Sequence, residues 1–165
     1  MSSVARLIKV GIADVKMAKS PEKLRTSGLG SCVGVVLYDE TLKVAGMAHV
    51  MLPESAMAKS GDINRAKYAD TAIEDLFQSM MGLGALKFRL RAKMAGGAQM
   101  FQFTSGRDLM RVGPRNIEAV KQKLFELGIP VTAEDTGGSS GRTIVFDTDT
   151  SQLQVKKVGQ KEEMM

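Results

Sequence analysis

The sequence predicts an α/β or α+β domain in which packed, mixed β-sheets are flanked by helices. Short apolar runs separated by turn residues fill the first third of the chain and return after residue 128. Between these two groups lie two longer segments whose apolar residues recur at helical spacing. A chain of 165 residues with both kinds of element is typical of one domain in which helices cover sheets.

Four strands are predicted in the first third of the chain. Their apolar or β-branched runs span residues 7–12, 24–26, 33–38 and 44–52. Residues 39–43 separate the last two runs and predict the loop of a β-hairpin.

The two predicted helices have recognisable starts and stops. The first follows a candidate N-cap at Asp62 and ends at Gly82 and Gly84; its stripe consists of Ala69, Ile73, Leu76, Phe77 and Met80. The second has Pro114 in its first turn and ends at Gly128 and Pro130; its stripe consists of Ile117, Val120, Leu124 and Leu127.

Between the helices, basic and apolar residues alternate over residues 86–94. The basic members are Lys87, Arg89, Arg91 and Lys93. Period two predicts a strand with one basic face, which is either the solvated outside of a sheet or a docking surface for acidic helices or nucleic acid. A net charge of +5 favours acidic partners. The chain has no Trp and only two Tyr, so we expect no nucleic-acid partner.

The remaining chain is predicted to contain a short apolar run at residues 100–103 and strands at 129–133, 143–146 and 153–158. Residues 1–158 then form the single domain, and residues 159–165 a disordered tail.

Composition also narrows the compartment and the chemistry. The single cysteine excludes an intramolecular disulfide and fits a reducing compartment. Residues 1–17 lack a signal-peptide core, and no apolar run is long enough to span a membrane, so we expect a cytoplasmic protein. One histidine and one cysteine are too few soft ligands for zinc, and residues 137–142 match neither dinucleotide nor P-loop patterns. No metal or cofactor is expected.

Cys32 and His49 are the only residues of their types, and each lies in or beside a predicted strand of the hairpin. Antiparallel pairing around residues 39–43 brings the start of the first strand beside the end of the second. A thiol and an imidazole in that arrangement are able to form an activated nucleophile. Thr26 or Ser27, on the preceding strand, is close enough in sequence to orient the base.

The residues before Cys32 are rich in glycine. Gly28 and Gly30 allow unusual backbone conformations, and the backbone N–H groups of Gly30, Ser31 and Cys32 are candidates for an oxyanion hole. The alternative interpretation is that Cys32 and His49 are ordinary core residues. Both interpretations remain open on pattern alone.

Several motifs resemble the CheD family of chemoreceptor glutamine deamidases. They are residues 26–39 (TSGLGSCVGVVLYD), 46–53 (GMAHVMLP), 67–72 (KYADTA), 95–98 (AGGA), 100–101 (MF), 115–116 (RN) and 134–138 (EDTGG). The resemblance spans about residues 7–158.

The resemblance implies a cofactor-independent cysteine amidohydrolase that converts glutamine to glutamate on cytoplasmic helices of chemoreceptors. It implies Cys32 as nucleophile, His49 as base and Thr26 as the orienting group. It further implies a fold similar to the catalytic domains of cytotoxic necrotizing factors and binding to a CheC-type phosphatase. A non-enzymatic adaptor that binds this phosphatase and receptors is the alternative function, with Phe101 as a candidate contact.

Overall fold

The structure, a computed structural model, describes residues 6–58, 61, 63–99 and 111–165. The predicted α+β class is confirmed by two mixed sheets and two α-helices in these residues. The strands are β1 (Leu7–Lys9), β2 (Val15–Lys19), β3 (Lys23–Leu29), β4 (Val33–Asp39), β5 (Val44–Val50), β6 (Arg91–Gly96), β7 (Val131–Thr136), β8 (Arg142–Asp147), β9 (Gln152–Lys157) and β10 (Glu163–Met164). The helices are α1 (Ala69–Gly82) and α2 (Val112–Glu126).

The strands form two five-stranded sheets. The first sheet has the order β1-β3-β8-β9-β10, and the second has the order β2-β5-β4-β6-β7. The pairs β1–β3 and β6–β7 are parallel and the other pairs are antiparallel, so both sheets are mixed.

The second sheet is buried on both faces because it lies between the helices and the first sheet. All seven residues of β4 are buried. Val33, Val35 and Leu37 pack with α1 and α2, whereas Val36 and Tyr38 pack against the first sheet. This alternation follows from the two-residue repeat of a strand. It produces three layers, which are the helices, the second sheet and the first sheet. The interface between the two sheets contains the candidate site.

Strand β2 was not predicted. Val15–Lys19 is a short run of three apolar residues and two lysines, without strict alternation, at the edge of the second sheet. The first predicted run, residues 7–12, forms a strand only at Leu7–Lys9. Residues 10–14 lead from one sheet to the other, and this change of sheet has no distinct signal in the sequence.

The prediction of one basic strand over residues 86–94 was wrong. Lys87–Arg89 form a 3-10 turn, and β6 begins only at Arg91. The period-two pattern is therefore divided between a turn and a strand. Phe88, an apolar member of the pattern, is 75% exposed.

The basic side chains of this segment have separate partners. Arg89 forms an ion pair of 3.0 Å with Asp39, which is fully buried at the end of β4. Lys93 is buried between the sheets and donates to the Ser151 carbonyl at 2.6 Å. Because Lys93 is buried and Arg89 is paired with Asp39, the four basic residues do not form the predicted basic face of one strand.

The C-terminal residues also differ from the expectation of a disordered tail over residues 159–165. Glu163–Met164 form β10, which pairs with β9 at Val155 and Gln154. Met165 exchanges two backbone hydrogen bonds with Leu153. An edge strand accepts such additions because its backbone groups are otherwise unpaired.

Three sequence-based expectations, the cap at Asp62, the apolar run 100–103 and the contact residue Phe101, lie outside the described residues. In the described part of the chain, neither helix has the length and hydrophobicity that a membrane span requires.

Candidate active site

The β4–β5 hairpin places Cys32 and His49 near one another. Val33 pairs with Val50 and Gly34 pairs with His49, in the antiparallel arrangement predicted from the sequence. Cys32 immediately precedes β4 and packs against the apolar layer between the sheets. Cys32 and His49 are therefore diagonal neighbours on the same face of the hairpin, a relation that leaves Cα atoms roughly 7–8 Å apart.

Thr26 of the first sheet reaches His49 across the interface between the sheets. Its Oγ1 lies 2.7 Å from His49 Nδ1, and the same Oγ1 donates to the Val10 carbonyl at 2.7 Å. A hydroxyl has one proton, and the carbonyl is able only to accept. His49 Nδ1 must therefore donate to Thr26, which leaves Nε2 unprotonated in the neutral imidazole. Nε2 is the atom that is able to act as a base.

Gly34 makes this approach of the two sheets possible. A Cβ atom at Gly34 would lie 2.7 Å from Ile144 Cδ1, 3.2 Å from Leu29 Cδ1 and 3.5 Å from Thr26 Cγ2. Because Gly34 is opposite His49, the missing side chain gives the first sheet space beside the imidazole. The backbone of His49 is fixed on its other side by hydrogen bonds with Ala13 and Asp14.

His49 Nε2 is buried and has no hydrogen-bond partner among the described residues. The direct Cys32–His49 hydrogen bond expected from a catalytic pair is thus not formed in this structure. An unpaired buried polar atom is costly, and such atoms in native proteins call for an explanation. A proton acceptor that is used only during a reaction is one such explanation.

Burial affects both groups of the pair. Desolvation raises the pKa of the Cys32 thiol, although the Cys32 backbone N–H partly offsets this effect. Desolvation also lowers the pKa of the His49 imidazole. Both shifts favour the neutral forms. Burial therefore favours a thiol and a neutral imidazole over a thiolate–imidazolium pair in the resting site.

The glycine-rich segment before Cys32 forms a bulged end of β3. The register of β3 with β8 shifts between Thr26 and Leu29, and Gly28 has a φ of 72° that disfavours other residues. Gly30 N–H donates to the Gly28 carbonyl at 3.1 Å. Of the three predicted oxyanion donors, Gly30 is therefore already engaged.

The other two predicted donors are not engaged in the described structure. The backbone N–H groups of Ser31 and Cys32 donate to no acceptor in residues 6–58, 61, 63–99 or 111–165. These two groups remain candidates to bind an oxyanion.

Sequence reasoning assigned no role to two features that fix the Cys32 segment. Gly97 N–H donates to the Cys32 carbonyl and Ala98 N–H donates to the Gly30 carbonyl, each at 2.8 Å. Asn116 of α2 donates to the carbonyls of Ser31 and Met51. The pair Gly96-Gly97 at the end of β6 was a usable signal for the first feature, but no local pattern reveals the second.

The described residues contain no group of three or more His, Cys, Asp or Glu side chains arranged to bind a metal ion.

Comparison with known proteins gives one consistent family. The family model described as "CheD chemotactic sensory transduction" matches residues 51–157. The chemoreceptor glutamine deamidase CheD of Halalkalibacterium halodurans is 58% identical over 94% of this chain and 96% of its own length. The protein of the same name from Bacillus subtilis is 54% identical over 96% of this chain and 95% of its own length. A probable chemoreceptor glutamine deamidase CheD of Syntrophomonas wolfei is 47% identical over 98% of this chain and its own full length.

Proposed function

Because the chain belongs to the CheD family, we propose that it is a cysteine-dependent amidohydrolase that converts glutamine side chains of chemoreceptors to glutamate and releases ammonia. The observation that carries the proposal is the Thr26–His49 hydrogen bond, which leaves a buried, unpaired Nε2 on the same face as Cys32. The names of the relatives supply the substrate class.

In the first step, the Cys32 thiol transfers its proton to His49 Nε2 as its sulfur attacks the glutamine Cδ. Proton transfer accompanies attack because burial disfavours a thiolate and an imidazolium in the resting site. The carbonyl oxygen takes the electron pair and becomes an oxyanion. Thr26 Oγ1 accepts a hydrogen bond from His49 Nδ1–H throughout this step, which keeps Nε2 directed to the proton of the thiol.

In the second step, the C–N bond breaks and the imidazolium gives its Nε2 proton to the leaving ammonia. The product on the enzyme is a thioester between Cys32 and the former glutamine side chain. Water then attacks this thioester while His49 again accepts a proton, and the C–S bond breaks to give glutamate and the original thiol.

The backbone N–H groups of Ser31 and Cys32 are the proposed oxyanion donors. Their lack of a described acceptor supports this role, as does the position of Cys32 N–H near its own sulfur, where it opposes the effect of burial on the thiol pKa. Donors that are preorganised where charge develops stabilise the transition state without further rearrangement.

The proposal is tested by incubating a purified chemoreceptor cytoplasmic fragment with the wild-type protein and with Cys32→Ala. Peptide mass mapping follows the conversion of glutamine to glutamate, and thermal unfolding verifies that the variant is folded. We expect conversion by the wild type and none above background by the variant. Conversion at an equal rate by folded Cys32→Ala would exclude Cys32 as the nucleophile.

We further propose that the protein acts in the cytoplasm and binds a CheC-type phosphatase, as the family resemblance implies. Folded Cys32→Ala should retain both phosphatase and receptor association. If the wild type binds both proteins but deamidates neither receptor fragments nor glutamine peptides, the adaptor function stands and the enzyme proposal fails.

A further inference from the structure

We propose that Asn116 is a positioning residue that fixes the chain on both sides of the catalytic pair, so that Cys32 attacks from a defined position. This inference rests on the proposed function. Asn116 lies on the second turn of α2, outside the Thr26–His49–Cys32 arrangement. It forms hydrogen bonds with Ser31, the residue before Cys32, and with Met51, two residues after His49.

The side-chain amide of Asn116 joins two separate segments. Its Nδ2 donates to the Ser31 carbonyl and to the Met51 carbonyl, each at 2.9 Å. Both partners are carbonyls, which only accept, so the amide nitrogen must face them. The two protons of one NH₂ group thus bridge the nucleophile segment and the end of the strand that carries the base.

The bridge completes a continuous support for the nucleophile segment. The Gly30 carbonyl accepts from Ala98 N–H, and the Cys32 carbonyl accepts from Gly97 N–H. The Ser31 carbonyl between them accepts from Asn116. Three consecutive carbonyls are therefore held. Ser31 is the only one of the three held by a side chain, so that contact is the one that a substitution removes without altering the backbone.

The cost of this arrangement favours a role beyond packing. Asn116 is fully buried, and its Oδ1 has no hydrogen-bond partner among the described residues. An apolar side chain of similar size would avoid this unpaired acceptor but would leave the Ser31 and Met51 carbonyls without this donor. The two donated bonds give the amide a reason to be there.

The start of α2 packs closely against this segment. A Cβ atom at Gly113 would lie 2.3 Å from the Ala98 carbonyl oxygen and 2.7 Å from the Gly97 carbonyl oxygen. The helix therefore packs directly on the backbone that supports Gly30 and Cys32. Asn116 therefore lies on a helix whose start is in direct contact with the backbone that it helps to hold.

The test compares Asn116→Ala and Asn116→Leu with Val120→Ala. Both substitutions remove the donor to the Ser31 and Met51 carbonyls, but Leu keeps most of the buried volume, so it keeps the experiment interpretable if Ala fails to fold. Val120 is fully buried one turn further along α2, and its apolar side chain forms no hydrogen bond with the Ser31 or Met51 carbonyl. Val120→Ala is therefore the control for lost packing. All kinetic values are measured at temperatures where each variant is fully folded.

Two readouts separate positioning from stability. The kcat of receptor deamidation should fall at least 10-fold in both Asn116 variants, with KM within 2-fold of the wild-type value. Val120→Ala should keep the wild-type kcat. Iodoacetamide alkylation of Cys32 should shift its pH midpoint downward in the Asn116 variants only, because a released segment exposes the thiol to water. This second readout requires no deamidation.

The outcomes are distinct. If the wild type fails to deamidate but the alkylation midpoint moves only in the Asn116 variants, the proposed function fails and the positioning of Cys32 by Asn116 remains. If folded Asn116→Leu has wild-type kcat and a wild-type alkylation profile, Asn116 serves only the fold and the inference is overturned.

Discussion

Thr26→Val removes the one polar atom that orients His49 while preserving the shape of the side chain. Thr26 Oγ1 is within 2.7 Å of both His49 Nδ1 and the Val10 carbonyl oxygen. In the variant, these two groups lose a partner in a buried setting, since Thr26 is only 2% exposed. The substitution therefore changes both stability and the tautomer of the base.

The magnitudes follow from these two contacts. Each unsatisfied buried group costs about 1–3 kcal/mol, so the free energy of unfolding should fall by about 2–6 kcal/mol. If a net hydrogen-bond energy of about 1–2 kcal/mol favours the Nδ1–H tautomer, its loss lowers the ratio of that tautomer to the Nε2–H tautomer roughly 5–30-fold. We expect kcat to decrease with the fraction of the Nδ1–H tautomer, by at most about the same factor.

The control is Thr26→Ser, which keeps the hydroxyl and loses one methyl group. Its free energy of unfolding should fall by about 1 kcal/mol, with the wild-type tautomer retained. Urea unfolding gives the stabilities, nitrogen-15 NMR of His49 reports the tautomer, and receptor deamidation gives kcat. A folded Thr26→Val protein with wild-type kcat, or with the proton still on Nδ1, would refute the orienting role of Thr26.

Three further predictions concern the pair and its support. Because burial lowers the pKa of His49, the unfolded chain binds a proton that the native state does not, so the free energy of unfolding should fall as pH decreases below about 6.5. His49→Gln should reduce the slope of the free energy of unfolding against pH. Equal slopes for the wild type and the variant would contradict the lowered pKa of His49. Because burial raises the pKa of Cys32, its alkylation midpoint should lie above about 8.5, and a midpoint near or below neutrality would indicate a preformed ion pair instead. Gly96→Ala should lower both stability and kcat, since Gly96 has a φ of 112° and a Cβ there would lie 2.3 Å from the Cys32 carbonyl oxygen. Gly84→Ala, with a φ of 90° but open space, should cost only about 1–2 kcal/mol and leave kcat unchanged; equal effects of the two variants would show that the contact with Cys32 is unimportant.

The hairpin of the candidate site was predictable because its signals are local. Runs of β-branched residues at 33–38 and 44–52 surround a short loop, and a hairpin register follows from the loop. The structure confirms the pairing, with Gly34 opposite His49. The position of Cys32 beside the end of β5 follows directly.

The rest of the site depends on contacts between elements distant in sequence. Thr26 reaches His49 from the other sheet, and the sequence marks neither the sheet to which each strand belongs nor the space that Gly34 leaves. The spacing of the residues made Thr26 one of two options, and only the family resemblance selected it. Asn116 is 85 residues from Ser31, and its bridge is visible only in three dimensions.

The basic segment shows how a correct pattern leads to a wrong element. The alternation of basic and apolar residues over residues 86–94 satisfies the rule for a strand. Arg89, however, forms an ion pair with the buried carboxylate of Asp39, 50 residues away in sequence. A buried charge requires a partner, and this requirement outweighs local periodicity.

The most direct test of the central claim is to trap the covalent intermediate. The wild-type protein is mixed with a chemoreceptor helix fragment in a single turnover, quenched in acid, digested and mapped by mass spectrometry. We predict that the peptide containing Cys32 carries the substrate peptide with the loss of one ammonia, and that Cys32→Ala yields no such adduct. Deamidation of the fragment in a single turnover with no adduct on Cys32, and at an unchanged rate in Cys32→Ala, would contradict the proposed mechanism.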